Sequence, residues 1–331
     1  MLRIFPVILI LVALVSAMTF WKTRQPVITQ TGALAVIAEP LVLDSSEPSR
    51  TRLGDLHFLG AWRLSGTDDR FGGLSSMRVA PDGSLWSLND TGTMFHFPQP
   101  GRQLTAQAFR LLPPRPTKQM EGWPFDSESM AVDPAFRHIW VGYELVQRIC
   151  RYGVSLKEVG TCRDWPEMKD WPITMSLESM ERLPDGRFLV IAEGQGTRDG
   201  RGREGLLFAG DPVDPETPHP VRFTYVPPVG YDPTDAVYIG GGKLLVLNRR
   251  ATLYDGFTAI ILLVDIGHLR AGAVLTGREV ARLAPPVLAD NFEGMALDDR
   301  GGQKTLWVVS DDNHLFFQRT LLLKFALPDR F

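Results

Sequence analysis

Eight carboxylates recur at equivalent places along the chain. Glu128, Glu178, Asp235 and Glu293 each open a short apolar run, and Asp90, Glu144, Glu193 and Asp311 each close the following one. Ser75 and Arg249 occupy the two places where the pattern lacks an acid. Carboxylates gathered within a few ångströms raise one another's pKa or demand a cation, the more so between low-dielectric walls. A hard divalent ion with oxygen ligands meets that demand. Calcium tolerates many carboxylates in irregular geometry and suits the set better than magnesium; Asn89, Asp312 and Asn313 stand ready as further ligands. An ion held there would polarise an ester or phosphoester oxygen and activate a water, with Glu178 or Glu293 as general base and Glu128 as a third catalytic candidate. Arg249 and Arg250 could grip an anionic substrate group in a bidentate fashion or pair with the acids beside them. His314, following residues 311–313, is a candidate for acid-base work.

These acids need elements that bring them to one place, and the sequence repeats in a way that does so. Five segments superpose: residues 73–77 (Gly-Leu-Ser-Ser-Met), 126–130 (Asp-Ser-Glu-Ser-Met), 174–180 ending in Leu-Glu-Ser-Met, 233–237 (Pro-Thr-Asp-Ala-Val) and 291–295 (Asn-Phe-Glu-Gly-Met). Each passes through tight-turn chemistry, such as Pro-Asp-Gly at 81–83 and 184–186 or three glycines at 240–242, into a second run such as Leu-Trp-Ser-Leu at 85–88. The second runs are continuously apolar and rich in Val, Ile, Leu and Trp, as strands covered on both faces should be. Weaker strand candidates between the repeats bring each unit to four strands, the content of a propeller blade. The expected fold is therefore an all-β propeller with five blades, or six if residues 112–125 conceal a degenerate one. Residues 56–64 are expected to close the ring by joining the last blade, which also hides the sheet edges. Because first and second strands are antiparallel, the start of one and the end of the next share a rim, and all eight carboxylates are predicted on it.

The remaining features bound the class. The chain has 331 residues, a formal net charge of -3 and a pI near 6.1, with no basic run, which argues against nucleic acid as a partner. Arg3 precedes an apolar stretch over residues 4–15, with small residues at 15–17, the pattern of an export signal; residues 4–21 are also nearly long enough for an uncleaved membrane anchor. The expected organisation is a signal or anchor at 1–24, a linker at 25–50 and one propeller at 51–331, exported to the periplasm or held at the outer face of the inner membrane, and monomeric. Cys150 and Cys162 are the two cysteines. They flank a short polar turn centred on Leu156, so a hairpin there would set them opposite each other, and a disulfide is expected. The glycine-dense stretch 194–205 lies between strands, opens no helix, and reads as a rim loop rather than a dinucleotide site.

The recurrence of Glu-Ser-Met or Glu-Gly-Met at the start of a strand, at 128–130, 178–180 and 293–295, together with residues 188–193 and 291–311, resembles the phytase-like family, whose description is esterase-like activity of phytase. The resemblance runs over about residues 53–328. It implies a bacterial exported propeller and a hydrolase of ester or phosphoester bonds acting on a small molecule. Propeller phytases hold their polyphosphate with many basic residues as well as calcium. Two arginines at this rim argue against phytate itself. Two further readings use the same rim, a calcium-dependent lactonase-like hydrolase and a non-catalytic propeller whose loops calcium orders around a ligand or partner protein.

Overall fold

A computed structural model describes residues 31–66, 71–101, 103–111 and 126–331. The expected signal or anchor and the segment 112–125 lie outside the described residues. Among the described residues no helix is long and apolar enough to cross a membrane.

The described residues form five blades. Blade one is Leu74–Val79, Leu85–Asn89, Thr93–Phe97 and Gln103–Arg110; blade two is Ser127–Val132, His138–Tyr143, Arg148–Gly153 and Thr161–Asp164. Blade three is Ser179–Arg182, Phe188–Gly196, Arg203–Phe208 and Val221–Tyr225, and blade four is Asp232–Gly240, Lys243–Thr252, Gly256–Asp265 and Gly277–Leu283. Blade five takes Phe292–Asp298, Thr305–Ser310 and Thr320–Ala326 from the C-terminal end and Leu56–Gly66 from the N-terminal end. The ring is thus closed by the strand the sequence nominated. The five innermost strands each adjoin the next around a central channel, with blade five against blade one.

The apolar second strands owe their composition to this arrangement. Side chains alternate across a strand, so each blade sends successive residues into the two cores it shares with its neighbours. Leu244 and Val246 enter the core between blades three and four, whereas Leu245 and Leu247 enter the one between blades four and five. Five such inter-blade cores hold the ring together. Gly294 marks a close approach. A Cβ there would come within 3.1 Å of the Ser76 Cα, which explains why blade five reads Glu-Gly-Met where blades two and three read Glu-Ser-Met.

Two expectations are corrected. Residues 25–50 are not simply a linker: Gly32–Leu41 is a strand, pairing with Leu56–Gly66 on one side and Gln103–Arg110 on the other, so it joins the outer edges of blades five and one. Its alternating apolar residues Leu34, Val36 and Ala38 are buried there. The stretch 194–205 is largely hairpin, since Gly196 pairs with Arg203. Cys150 and Cys162 do stand opposite each other and form a disulfide, which ties the short outer strand Thr161–Asp164 to blade two.

Candidate functional site

The rim is built by one backbone device used in every blade. At the rim end of the second strand one amide donates to a carbonyl just ahead of the first strand: Asp90 to Gly73 (3.1 Å), Glu144 to Asp126 (2.8 Å), Glu193 to Ser176 (3.2 Å) and Asp311 to Asn291 (2.9 Å). In blade four the corresponding partners are Asp232 and Arg249. Beyond this pair the ladder carries a bulge in blades one, two, four and five, at Ser75, Glu128, Thr234 and Glu293. A bulged residue is left out of the pairing and its side chain is re-aimed. Glu128 and Glu293 are turned in this way to the mouth of the channel.

Seven of the eight predicted carboxylates line one cavity of about 420 Å³: Asp90, Glu128, Glu144, Glu178, Glu193, Glu293 and Asp311. Asp235 does not. The bulge in blade four falls on Thr234, one residue earlier than the sequence superposition put it, so Asp235 is in register with Ser76, Ser129 and Gly294, one step below the rim. There it meets Arg78, which the sequence reading passed over. The buried Arg78 guanidinium donates to both Asp235 oxygens (3.0 and 3.3 Å) and to the carbonyls of Met77, Met180 and Met295 (2.7, 2.8 and 3.0 Å), with Glu181 at 3.5 Å. This knot spans the channel and fixes the strands that carry Glu178 and Glu293.

The arginines and the histidine differ in their placement. Arg249 lines the cavity but is held by acids. It donates to Glu193 Oε1 (2.6 Å), Asn291 Oδ1 (2.8 Å) and Glu293. Burial would lower its pKa, and the facing Glu293, Glu193 and Glu178 more than reverse that effect. Of its two sequence readings the acid-paired one is what the geometry shows. Arg250 also lines the cavity, donates to Asp255 (2.8 Å) and lies over the Tyr231 ring. His314 is not part of the cavity wall. Its ring covers Gly72 and Gly73, where an added Cβ would come within 3.1 Å of it, and its backbone turns into the left-handed region at φ 49°. Neighbouring Asp312 accepts from the Gly73 amide (3.0 Å) and the Thr320 hydroxyl (2.7 Å), so this turn ties blade five to blade one.

Burial and the like charges of Glu193, Glu144 and Glu293 drive the Glu178 carboxyl well above the usual carboxylate range, with Arg249 opposing them. Glu144 accepts from the amides of Met175 and Ser176 (2.7 Å for the latter), which anchors the connection leading to Glu178. Asp126, Glu128 and Glu144 bring one carboxylate oxygen each to within 4.8 Å of one another, all three residues buried. This all-oxygen group could hold a hard cation. Asp126 was missed as a ligand, although its place two residues before Glu128 in the repeated segment was the available signal.

Residues 69–314 match the phytase-like family, described as esterase-like activity of phytase. The chain belongs to that family. The match takes in the blade-one entry strand, the three Glu-x-Met segments and the rim turn to His314, so the family's extent coincides with the elements that carry the cavity. No curated protein matches the sequence. Among solved structures the phytase-like chain is similar to a luciferin-regenerating enzyme (12% identity, 88% of this chain and 96% of that one, TM-score 0.47). It is also similar to a putative oxidoreductase (glucose dehydrogenase) of Thermus thermophilus (14%, 76% and 97%, 0.42) and to the Swd1 β-propeller domain of Myceliophthora thermophila (11%, 91% and 99%, 0.41). Likenesses at this level carry no argument about activity, and the propeller assignment rests on the strand pairing itself.

Proposed function

We propose that the chain hydrolyses ester or phosphoester bonds with a divalent cation, calcium by the chemistry of the donors, held by Asp126, Glu128 and Glu144. What supports this reading above all is the convergence of carboxylates from five blades on one cavity, Asp232 of blade four included, with three oxygens at ligand spacing. When bound, such a cation supplies Lewis acidity toward the ester or phosphoester oxygen and lowers the pKa of a water. The chain's own residues supply the rest. Glu178, whose carboxyl retains its proton more readily than an ordinary glutamate, is the group suited to pass a proton between water and leaving oxygen. Glu293 and Glu193, clamped by Arg249, are less suited to act as base and keep the guanidinium in place instead. That leaves Arg250 to face an anionic part of the substrate. Export belongs to the proposal too, supported by the apolar run after Arg3 and the bridged cysteines.

The test is turnover of nitrophenyl esters, phosphomonoesters, phosphodiesters and lactones, with calcium and with chelator, by the chain and by Glu178→Gln. Cation-dependent turnover lost in the variant supports the reading and names the substrate class. Turnover indifferent to chelator removes the metal step. No turnover, with calcium still raising the melting temperature, assigns a binding propeller instead.

A further inference from the structure

The connections around the cavity share a feature that hydrolysis does not require. Among the described residues the four most exposed large apolar side chains are Phe316 (99%), Val229 (98%), Tyr254 (97%) and Leu253 (94%), whereas the next reach 61%. All four sit at the rim end. Leu253 and Tyr254 form the tip of the hairpin closed by Thr252 and Gly256, and its flanks, Arg250, Ala251 and Phe257, line the cavity. Val229 precedes Gly230, and Phe316 follows Asn313 in the blade-five connection; Gly230 and Asn313 line the same cavity. These four side chains, on three connections and with Phe316 touching only its neighbour Phe317, bury almost nothing at home. They suit insertion into the interface of a bilayer, where aromatic and aliphatic groups gain what they cannot gain in water.

A second observation points the same way. The strand Gly32–Leu41 begins at the rim end, since Gly32 pairs with Ala108 and the Leu111 amide donates to the carbonyl of Gly92 in the rim turn. In the sequence the apolar run of residues 4–21 precedes that strand by ten residues. Ten residues span at most about 35 Å. With that run in a bilayer, the rim end, where the strand starts, lies within about 35 Å of the surface. We propose that this face of the propeller docks on a lipid bilayer through the tips carrying Leu253, Tyr254, Val229 and Phe316, with the cavity opening at the headgroups. The acidic cavity makes the favoured surface zwitterionic rather than anionic when no divalent cation is present.

The test uses the full chain, because an environment-sensitive label reports each tip whatever the N-terminal run does. The two native cysteines are bridged, so one introduced thiol takes the label alone. Leu253→Cys and Phe316→Cys carry the probe at the rim, and Val159→Cys carries it at the opposite end, in the turn after Arg148–Gly153. With phosphatidylcholine vesicles the rim probes are expected to shift to the blue and to be quenched by brominated acyl chains, while the Val159→Cys probe stays aqueous. Adding Val229→Asp and Tyr254→Asp should lower the quenching at the Leu253→Cys probe by at least about tenfold, because burial of each side chain of this size is worth about that factor in partition. An unchanged melting temperature verifies the fold. Rim probes that stay aqueous, or a Val159→Cys probe that responds equally, overturn the proposal. So does a blue shift that depends on protein concentration without lipid, which would mean a second copy covers the tips.

Discussion

Replacing Arg78 with Met removes the cation from the knot beneath the rim and leaves its volume nearly filled. The side chains of Arg78 and Asp235 are 6% and 1% exposed, and Glu181 is 14% exposed, so neither acid can turn to water for compensation. Removing one partner of a buried ion pair costs about 3–5 kcal/mol, chiefly because the other charge is left buried. The carbonyls of Met77, Met180 and Met295 lose their guanidinium donor as well. With an unfolding entropy of about 2.1 cal/mol/K per residue over roughly 280 residues, that cost lowers the melting temperature by about 5–8 °C. The deficit should depend on pH. Burial raises the Asp235 pKa while Arg78 holds it down, so without Arg78 both acids take up protons more readily in the folded state. A folded-state pKa raised above the unfolded one adds stability that is present at low pH and lost as pH rises, so the deficit is small near pH 5 and full near pH 8. Calorimetry of Arg78→Met across that range measures it, and Asp235→Asn in the same background should recover part of the loss. A deficit under about 1 kcal/mol at pH 8, or one that ignores pH, would refute the idea that a buried charge knot holds the inner ring.

Four further outcomes follow from the same geometry. Burial pushes Glu181 up to about 7 against Arg78 and the Tyr238 amide, so this group withdraws up to about 3 kcal/mol of stability between its ordinary value near 4.5 and pH 7, a slope that should be missing in Glu181→Gln on pH-dependent melting. Calcium at about a hundredfold its Kd should add about 2.7 kcal/mol, near 5 °C, and titration calorimetry should find binding weaken as pH falls, because a cation on the blade-two acids favours the ionised form of neighbouring Glu178 and so competes with its proton. Arg249→Gln should tighten cation binding or add a second site by removing the positive charge held between Glu193 and Glu293; an unchanged isotherm would show that this half of the rim takes no ion. Cys150→Ser should cost about 3 kcal/mol for a bridge closing so short a loop, read from urea melts beside the reduced wild type.

How far the sequence carried the reading depended on which signals were local. The five strand pairs were legible because each second strand is apolar without interruption and each turn carries its own chemistry. The closing strand 56–64 was legible because a ring needs one. Asp235 was misplaced because bulges cannot be read from residue types: Pro-Thr-Asp-Ala-Val superposes on Asp-Ser-Glu-Ser-Met without a gap, yet the unpaired position falls on Thr234, and one residue of slip moves a side chain to another level. Arg78 left a trace, a lone arginine inside an apolar inner strand, but its partners come from three other blades. The strand Gly32–Leu41 was hidden by its Ala and Gly content and by partners at 61–66 and 103–108 that no local pattern announces.

The placement of Arg249 bears on where a cation would sit. Four blades end their second strand in an acid and the fifth ends in this arginine, whose guanidinium reaches Glu193 on blade three and Glu293 on blade five. A fixed positive charge between those two acids lowers the local demand for an ion and repels one that approaches. Across the channel, blade two contributes Asp126, Glu128 and Glu144 at ligand spacing. Glu178 lies between the two arrangements, feeling Glu193 and Glu144 from either side and Arg249 from one. A cation on the blade-two side would favour its ionised form and Arg249 already does so from the other. Burial and its acidic neighbours thus hold a proton on Glu178 while the positive charges on either side favour its release, the opposed influences that a group giving and taking a proton in one cycle requires.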